Sequence, residues 1–169
     1  MNTLIVYASK SGTTEEAARV AEERLRGPCR LLDLRDKKAE IPVLGQYDAV
    51  IVGSPLYMGR PMKEVARFCR EHETELTRGK PVLALFTCGM GDAAEGESCF
   101  RRCLPEAVTR AALIYRHLGG EVHEDRLNAF GRMAMREYQK QHGPGRGLEL
   151  EKIGEICEAV DMGREENTK

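Results

Sequence analysis

The chain has 169 residues, of which 41% are hydrophobic and 31% charged, a composition typical of a globular domain and not of a disordered chain. Its 26 basic and 27 acidic residues give a net charge of −1, so the charge balance indicates neither nucleic acid nor an anionic membrane as a partner. No apolar run approaches the ~20 residues that a spanning helix needs, and the first residues lack a signal-peptide pattern. We therefore expect a cytoplasmic protein without an integral membrane segment.

Apolar runs and helical periodicity alternate along the chain, which predicts an alternating α/β fold. The apolar runs 47–53 and 81–88 are typical of strands that are buried on both faces of a parallel sheet. The predicted strands cover 3–8, 29–34, 47–53, 81–88 and about 121–130. The predicted helices cover 14–26, 61–78, about 99–118 with a turn or second start at Pro105, and 148–161. A polar insertion is expected at 131–147 and a frayed tail at 164–169.

Five strands that alternate with helices predict right-handed crossovers within one domain, residues 1–163. For this length the favoured architecture is a doubly wound, five-stranded parallel sheet of order 2-1-3-4-5. In that order the sheet reverses direction between strands one and three. Ligands of such sheets bind at that point, beyond the carboxyl ends of the strands. The loops after strands one and three are therefore expected to lie side by side.

The loop after the first strand has the features of a phosphate site. It combines four hydroxyls with a lysine and a glycine: Ser9, Lys10, Ser11, Gly12, Thr13 and Thr14. The first amides of the following helix lack internal partners and lie at the positive end of the helix dipole, so they favour an anion. Gly12 permits a tight turn, and the hydroxyls can donate to phosphoryl oxygens. The same residues also suit a plain helix start, because Thr13-x-x-Glu16 matches a capping box.

The cysteines and histidines do not form a recognisable catalytic or metal motif. Six cysteines are scattered without a C-x-x-C pair, and we expect reduced thiols. Cys99 and Cys103 would share one face of a helix, which leaves a disulfide or metal pair open there. No matching His or Cys pair completes such a site, so we predict no metal. His117 and His123 flank a predicted strand end and are expected to be structural, and we assign no catalytic residue.

Three other classes of phosphate-handling protein lack their defining residues here. The Cys-x5-Arg spacing of a phosphatase loop fits Cys29 and Arg35, but the intervening leucines predict a strand. A receiver domain needs a phosphoacceptor aspartate at the end of strand three, where Gly53 and Ser54 stand. A nucleotide-kinase loop needs Gly-Lys-Ser/Thr, and the order Lys-Ser-Gly at 10–12 is wrong for it.

The first loop resembles the phosphate loop of the flavodoxin family, Thr/Ser-x-Thr/Ser-Gly-x-Thr, at Ser9, Ser11, Gly12 and Thr14. The resemblance covers most of the chain and implies a flavodoxin-like fold with FMN as cofactor. It also implies that the flavin ring lies across the loops after strands three and four. Those loops supply the other expected cofactor-binding residues, which are Ser54, Pro55, Leu56, Tyr57, Met58, Gly59, Arg60, Cys88, Gly89, Met90, Gly91 and Asp92.

Two features depart from the flavodoxin pattern. Tyr57 is the aromatic expected to cover one ring face, but no second aromatic stands at 92–97, so the other face is expected to be open to a substrate. The chain is nearly neutral, whereas flavodoxin shuttles are strongly acidic, and Arg60 is expected beside the ring. A nearby cation stabilises reduced, negatively charged flavin by Coulomb attraction, which favours enzyme chemistry over a low-potential shuttle.

The layout is most similar to the protoporphyrinogen-dehydrogenase-like flavodoxin-domain proteins, which share a glycine-bounded stretch, here 53–59, and an insertion before the last helix, here 131–147. That similarity implies an FMN-dependent oxidoreductase or electron-transfer protein. Candidate redox partners are an NAD(P)H reductase, a quinone or a porphyrinogen, and a homodimer is a candidate assembly. The insertion alternates apolar and basic residues, so a solvated surface helix and a membrane or quinone contact both stay open. The alternative function is a non-redox binding module that keeps the fold but has lost flavin.

Overall fold

Five parallel strands form the central sheet in the computed structural model, which describes residues 2–79, 81–90, 92–120, 125, 128–143, 145 and 147–166. The strands in chain order are β1 (Thr3–Tyr7), β2 (Cys29–Asp33), β3 (Ala49–Tyr57), the short β4 (Arg60–Pro61), β5 (Val82–Cys88) and β6 (Ile114–His117). The sheet order is β2-β1-β3-β5-β6, and β4 pairs antiparallel with the end of β3. Counted over the parallel strands, this is the predicted order 2-1-3-4-5, so the flavodoxin-like fold class is confirmed.

Helices connect the strands and cover the sheet. In chain order they are α1 (Thr13–Arg24), α2 (Lys63–Glu71), α3 (Glu73–Arg78), α4 (Ala93–Cys103), α5 (Glu106–Ala111), α6 (Ala129–His142) and α7 (Leu150–Glu166), with a 3-10 turn at Leu44–Gln46. The predicted helix 61–78 is broken at His72, whose backbone leaves the helical region. Within the described parts of the chain, no helix is both long enough and apolar enough to cross a membrane.

Successive residues of the central strands contribute to two separate hydrophobic clusters. On β1, Leu4 and Val6 belong to the cluster that contains the buried residues of α2, whereas Ile5 belongs to the cluster that contains those of α1 and α7. Because side chains alternate across a strand, a strand buried on both faces needs an apolar residue at almost every position. This explains why the runs at β1, β3 and β5 are continuously apolar.

The last parallel strand lies earlier in the chain than predicted. Where the sequence pattern predicts a helix over about 99–118 and a strand near 121–130, the structure forms α4, α5 and the strand β6. β6 is an edge strand of only four residues, and it includes the polar Arg116 and His117, so it lacks the apolar run by which the other strands were predicted. Residues 121–124, 126 and 127 lie outside the described residues, and Phe130 already belongs to α6. The predicted insertion 131–147 is largely this helix.

The loop after β5 is shorter than the predicted 89–98. α4 begins at Ala93 because the Asp92 carboxylate caps its first turn, accepting hydrogen bonds from the N–H groups of Ala94 (2.6 Å) and Glu95 (3.3 Å). This capping brings the first turn of α4 to the edge of the sheet where β5 ends. Pro105 is the N-cap of α5, so the predicted second helix start is confirmed.

α7 continues past its predicted end and includes residues 164–166, which were expected to fray. Arg164 is 2% exposed, and its guanidinium donates hydrogen bonds to Thr3 Oγ1 (2.7 Å) and to the carbonyl oxygen of Arg26 (3.0 Å). It also forms an ion pair with Asp161. These contacts tie the end of α7 to the start of β1, which opposes fraying at this position. Residues 167–169 lie outside the described residues.

Candidate functional site

The loop between β1 and α1 makes a tight turn at Gly12. The φ angle of Gly12 is 96°, in the left-handed region that favours glycine, and Gly12 is the N-cap of α1. The Ser9 hydroxyl oxygen accepts a hydrogen bond from the Gly12 N–H at 3.0 Å. On the other side of the loop, the Arg35 guanidinium donates to the Ser9 carbonyl oxygen at 2.6 Å. The N-cap is thus a glycine and not a hydroxyl residue, which differs from a simple hydroxyl-capped helix start.

Buried hydroxyl groups surround the start of α1. Ser11, Thr13 and Thr14 are each less than a tenth exposed. The Thr14 Oγ1 atom is buried without a hydrogen-bond partner among the described residues. Thr14 itself does not line the cavity, and its hydroxyl lies against the Cys88 thiol. The N–H groups of the first helical turn lie at the same end of α1 and favour an anion.

A cavity of about 430 Å³ opens beside this loop, at the carboxyl ends of β3 and β5. Its volume lies within the range of small-molecule sites. Twelve of the predicted site residues line it, namely Lys10, Ser11, Thr13, Pro55, Leu56, Tyr57, Met58, Gly59, Cys88, Gly89, Met90 and Asp92. The structure therefore brings the three predicted loops together at one place, as expected for the point where the strand order reverses.

Five predicted site residues do not line the cavity: Ser9, Gly12, Thr14, Ser54 and Arg60. The first three shape the β1–α1 loop or lie beneath it. Ser54 is fully buried, and its hydroxyl donates to the Pro55 carbonyl oxygen (2.9 Å) and accepts from the Met62 N–H (3.0 Å). Ser54 therefore ties the end of β3 to the start of α2. Gly91 lies outside the described residues.

Among the described lining residues the cation is Lys10, whereas Arg60, which was expected beside the ring, does not line the cavity. Arg60 lies on β4, after the hairpin turn, where its side chain is exposed and does not line the cavity. Lys10 does line the cavity, and its Nζ lies 5.9 Å from the centroid of the Tyr57 ring, within the range of a cation–π contact. Asp92 and Glu95 are the acidic residues among the described lining residues.

A two-residue hairpin turn contributes to the cavity lining. Tyr57 pairs with Arg60 across β3 and β4, and the residues between them, Met58 and Gly59, have φ angles of 50° and 71°. Two positive φ values in a two-residue hairpin loop are typical of a type I′ turn. Met58 is the one non-glycine residue of the described chain with a positive φ, and its side chain is fully exposed. A Cβ at Gly59 would lie 3.1 Å from Sγ of Cys99, so the turn packs directly on α4.

Tyr57 lines the cavity while its hydroxyl group is buried. The Tyr57 hydroxyl has no partner of good hydrogen-bond geometry among the described residues. Burial raises the pKa of Tyr57, and Ser11 and the Arg35 guanidinium offset part of that rise. The phenol therefore stays neutral at physiological pH, which makes Tyr57 an aromatic surface and not an ionisable group.

The Cys88 thiol at the cavity is not poised as a nucleophile. Cys88 is buried, and burial raises its pKa to about 12, against a smaller opposing effect of the Thr14 hydroxyl. A thiol with such a pKa is almost fully protonated at neutral pH. All six cysteines are free. Across the described residues, no three His, Cys, Asp or Glu side chains converge as metal ligands would.

The wall of the cavity at the end of β5 is held from two sides. The Gly89 N–H donates to the Gly119 carbonyl oxygen (2.8 Å), and the Gly89 carbonyl oxygen lies 3.2 Å from Nε2 of His117. His117 is 4% exposed and lines the cavity, although the sequence pattern suggested a structural role only. Its Nδ1 lies 2.9 Å from Thr87 Oγ1, which lies 2.5 Å from the hydroxyl oxygen of Tyr115.

α6 borders the cavity with residues at helical spacing, Gly131, Ala134 and Met135. The helix begins after Asn128, whose side-chain oxygen accepts a hydrogen bond from the Gly131 N–H at 2.8 Å. The side chains of α6 with a described exposure are all at least partly exposed, and Phe130 is 74% exposed. The polar insertion of the sequence is therefore a surface helix beside the cavity.

The sequence matches a family model described as the flavodoxin domain over residues 4–145. That match covers most of the chain. The chain belongs to the flavodoxin domain family. The sheet order, the Gly12 turn and the position of the cavity are consistent with this membership, so the resemblance inferred from the first loop is confirmed.

Solved structures share the flavodoxin fold with this chain at low sequence identity. The WrbA-like flavodoxin from Agrobacterium tumefaciens is 18% identical, with a TM-score of 0.59 over 97% of this chain and 98% of that one. A flavoprotein in complex with FMN from Lactobacillus acidophilus is 15% identical, with a TM-score of 0.54 over 69% and 92% of the two chains. Rubredoxin oxygen:oxidoreductase from Desulfovibrio gigas is 15% identical, with a TM-score of 0.60 over 99% of this chain but only 37% of that longer chain. No curated protein matches the sequence.

Seven residues line the cavity that the flavodoxin resemblance did not indicate: Glu95, Gly96, Cys99, His117, Gly131, Ala134 and Met135. Those on α4 and α6 recur at helical spacing, which is the one local signal that they share a face. That signal does not show which face meets the cavity. His117 has no local signal, because its partners lie far away in the sequence.

Proposed function

We propose that this flavodoxin-domain protein binds FMN in the cavity and acts as an FMN-dependent redox protein, an oxidoreductase or an electron carrier. One observation carries the proposal: a hydroxyl-rich helix N-terminus and the ring of Tyr57 meet in one cavity. A ligand with a phosphate at one end and a planar ring at the other matches that pair of features. The structural relatives that carry FMN or are oxidoreductases by name share the fold, which supports this cofactor.

The β1–α1 loop would hold the phosphate. Ser11 and Thr13, which carry hydroxyls, line the cavity next to the first amides of α1. Charge-assisted hydrogen bonds of this kind are stronger than neutral ones. Lys10 adds a positive charge at the same place. The residues present therefore fit a phosphate monoester.

The loops after β3 and β5 would hold the ring. Tyr57 offers an aromatic face, and Gly89 and Met90 line the cavity beside it. Bound FMN would supply hydride or single-electron transfer at its ring, while the protein supplies position and electrostatics. Among the described lining residues Tyr57 is the only large aromatic, and the small Gly131 and Ala134 of α6 lie along another part of the lining. That arrangement leaves room for a substrate on the open side.

The charge of the chain favours a small organic redox partner over a basic electron-transfer protein. A net charge of −1 provides little long-range attraction for a basic partner, in contrast to acidic flavodoxin shuttles. We propose NAD(P)H, a quinone or a porphyrinogen as the class of partner, with Lys10 stabilising the reduced cofactor. The cytoplasm as compartment and a homodimer as assembly remain our predictions.

The test is the flavin content of the purified protein and of two charge variants. Ser11→Glu places a carboxylate in the loop and is expected to abolish FMN binding by repulsion of the phosphate. Ser98→Glu adds the same charge on an exposed position of α4 that does not line the cavity, and is expected to bind FMN like the wild type. A colourless wild-type protein that gains neither a flavin spectrum nor thermal stability from added FMN would instead support the non-redox binding module.

A further inference from the structure

His117 is a buried polar residue of the cavity wall that the phosphate and ring arguments do not use. It lies at the end of the edge strand β6, where it is 4% exposed. Both of its ring nitrogens have partners: Nε2 lies 3.2 Å from the Gly89 carbonyl oxygen, and Nδ1 lies 2.9 Å from Thr87 Oγ1. An imidazole with a specific partner at each ring nitrogen is held in one orientation, which suits a positioning role.

The partners of His117 determine its tautomer. A carbonyl oxygen only accepts hydrogen bonds, so Nε2 must carry the proton and donate to Gly89. In the neutral ring Nδ1 is then an acceptor, and it receives the hydroxyl proton of Thr87. The Thr87 oxygen in turn accepts from the Tyr115 hydroxyl at 2.5 Å. The result is a directed chain of hydrogen bonds that runs from Tyr115 through Thr87 and His117 to the Gly89 carbonyl oxygen.

That chain ends on a part of the cavity wall whose backbone conformation favours glycine. Gly89 has a φ angle of 155°, which side chains other than glycine rarely adopt. Its N–H is held by the Gly119 carbonyl oxygen and its own carbonyl oxygen by His117, so the peptide that links Gly89 to Met90 is fixed at its Gly89 end. The peptide is trans, so the Met90 N–H points away from His117. His117 therefore sets the orientation of this peptide.

The surroundings of His117 preserve its neutral, donating form. A Cβ at Gly96 on α4 would lie 2.8 Å from Nδ1, so the glycine makes room for the ring. Burial lowers the pKa of His117, Lys152 lowers it further, and the Gly89 carbonyl oxygen, Glu149 and Asp92 oppose that shift. The imidazole thus stays neutral at physiological pH with its proton on Nε2.

We propose that His117 is a positioning residue for the cofactor, which fixes the main chain at Gly89 and thereby shapes the cavity wall against which the flavin ring would lie. This role rests on the proposed binding of FMN. The residue acts through the main chain and touches no reacting atom. Its loss is expected to affect the affinity of FMN and the electronic environment of the ring more than the stability of the fold.

A pair of amide substitutions separates the two sides of the imidazole. His117→Gln places an amide N–H near the position of Nε2 and keeps a donor for Gly89. His117→Asn reaches only the position of Nδ1, so it keeps the contact to Thr87 and loses the donor. We expect the asparagine variant to bind FMN about tenfold more weakly, the effect of one lost buried hydrogen bond, and the glutamine variant to stay within about threefold of wild type.

Controls and a second readout distinguish positioning from general destabilisation. His72→Asn, at the break between α2 and α3 and outside the cavity, is expected to leave FMN affinity unchanged. Gly96→Ala crowds the imidazole and is expected to weaken FMN binding, although alanine favours the helix. The visible circular dichroism of bound flavin should change in the asparagine variant, and the glutamine variant should restore it.

The outcomes separate this proposal from the proposed function. Wild-type protein that binds no FMN would refute both. Wild-type protein that binds FMN, with equal affinities and spectra in the asparagine and glutamine variants, would overturn the positioning role alone. A tenfold loss that glutamine rescues, with Gly96→Ala weakened in the same direction, is the expected result.

Discussion

Replacing Lys10 by methionine is expected to lower the midpoint potential of bound FMN, because it removes the cation beside Tyr57. The distance of 5.9 Å from Lys10 Nζ to the Tyr57 ring, against which the flavin would lie, serves as the approximate distance to the charge of reduced flavin. At about 6 Å two unit charges interact by roughly 0.7 kcal/mol at the dielectric constant of water and roughly 2.8 kcal/mol at an effective value of 20. Lys10 is exposed, so the lower part of that range applies. For a two-electron couple the expected decrease is about 15–40 mV.

The assay is a spectroelectrochemical titration of the FMN-loaded variants at low and high salt. Arg60→Met is the matched control, because Arg60 has the same charge but does not line the cavity, and its effect should stay below about 10 mV. High salt should shrink the difference between Lys10→Met and wild type, as screening of an exposed charge requires. An unchanged or raised potential in the Lys10 variant, or an equal decrease in the Arg60 variant, would refute the electrostatic argument.

Three further predictions concern the scaffold. Gly53→Ala is expected to lower the free energy of unfolding by about 2–3 kcal/mol in urea titrations, because a Cβ there would lie 2.1 Å from Cζ of the buried Phe86. Gly45→Ala is the control, because a Cβ at Gly45 would meet nothing within 4 Å, and its free energy of unfolding should be near that of the wild type. Arg164→Met is expected to cost about 2–4 kcal/mol, because it removes the hydrogen bonds to Thr3 and Arg26 and leaves the Asp161 carboxylate with only its longer contacts to Arg26. A loss below about 1 kcal/mol would contradict its anchoring role. Burial lowers the pKa of His117 in the folded protein below the usual value of about 6.5. As the pH drops below about 6.5, His117 is therefore protonated more readily in the unfolded chain than in the folded protein, and the free energy of unfolding should fall. His117→Gln should remove this part of the pH dependence, and parallel stability curves for the two proteins from about pH 8 to about pH 5 would contradict it.

The sheet could be predicted from the sequence wherever both faces of a strand are buried. β1, β3 and β5 need apolar residues at almost every position, so their runs stand out in the sequence. β6 does not, because it is a short edge strand that includes Arg116 and His117. The burial of Arg164 could not be predicted from the sequence either, because a charged residue near a polar terminus is typical of a solvated tail. Its burial depends on contacts to Thr3 and Arg26, which are more than a hundred residues away.

The candidate site could be predicted to the extent that its residues form contiguous motifs. The Gly12 turn and the loop residues around Tyr57 follow from local patterns and from the order of the strands. The contribution of α6 could not be predicted, because nothing in its sequence shows which face meets the cavity. The role of His117 depends on Thr87, 30 residues earlier in the chain, and on a glycine at position 96 that leaves room for the ring. Such contacts exist only in the folded protein.

The proposed function depends on one cavity that holds a phosphate at the β1–α1 loop and a flavin ring at Tyr57. Titrations of the protein with FMN and with riboflavin, which lacks the phosphate, test the phosphate site and the ring site together. Binding is measured by the quenching of flavin fluorescence. We expect one FMN per chain and riboflavin binding at least about 100-fold weaker, the equivalent of roughly 2.8 kcal/mol from charge-assisted hydrogen bonds to the phosphate. Equal affinities for the two ligands, or no binding of either, would contradict the claim.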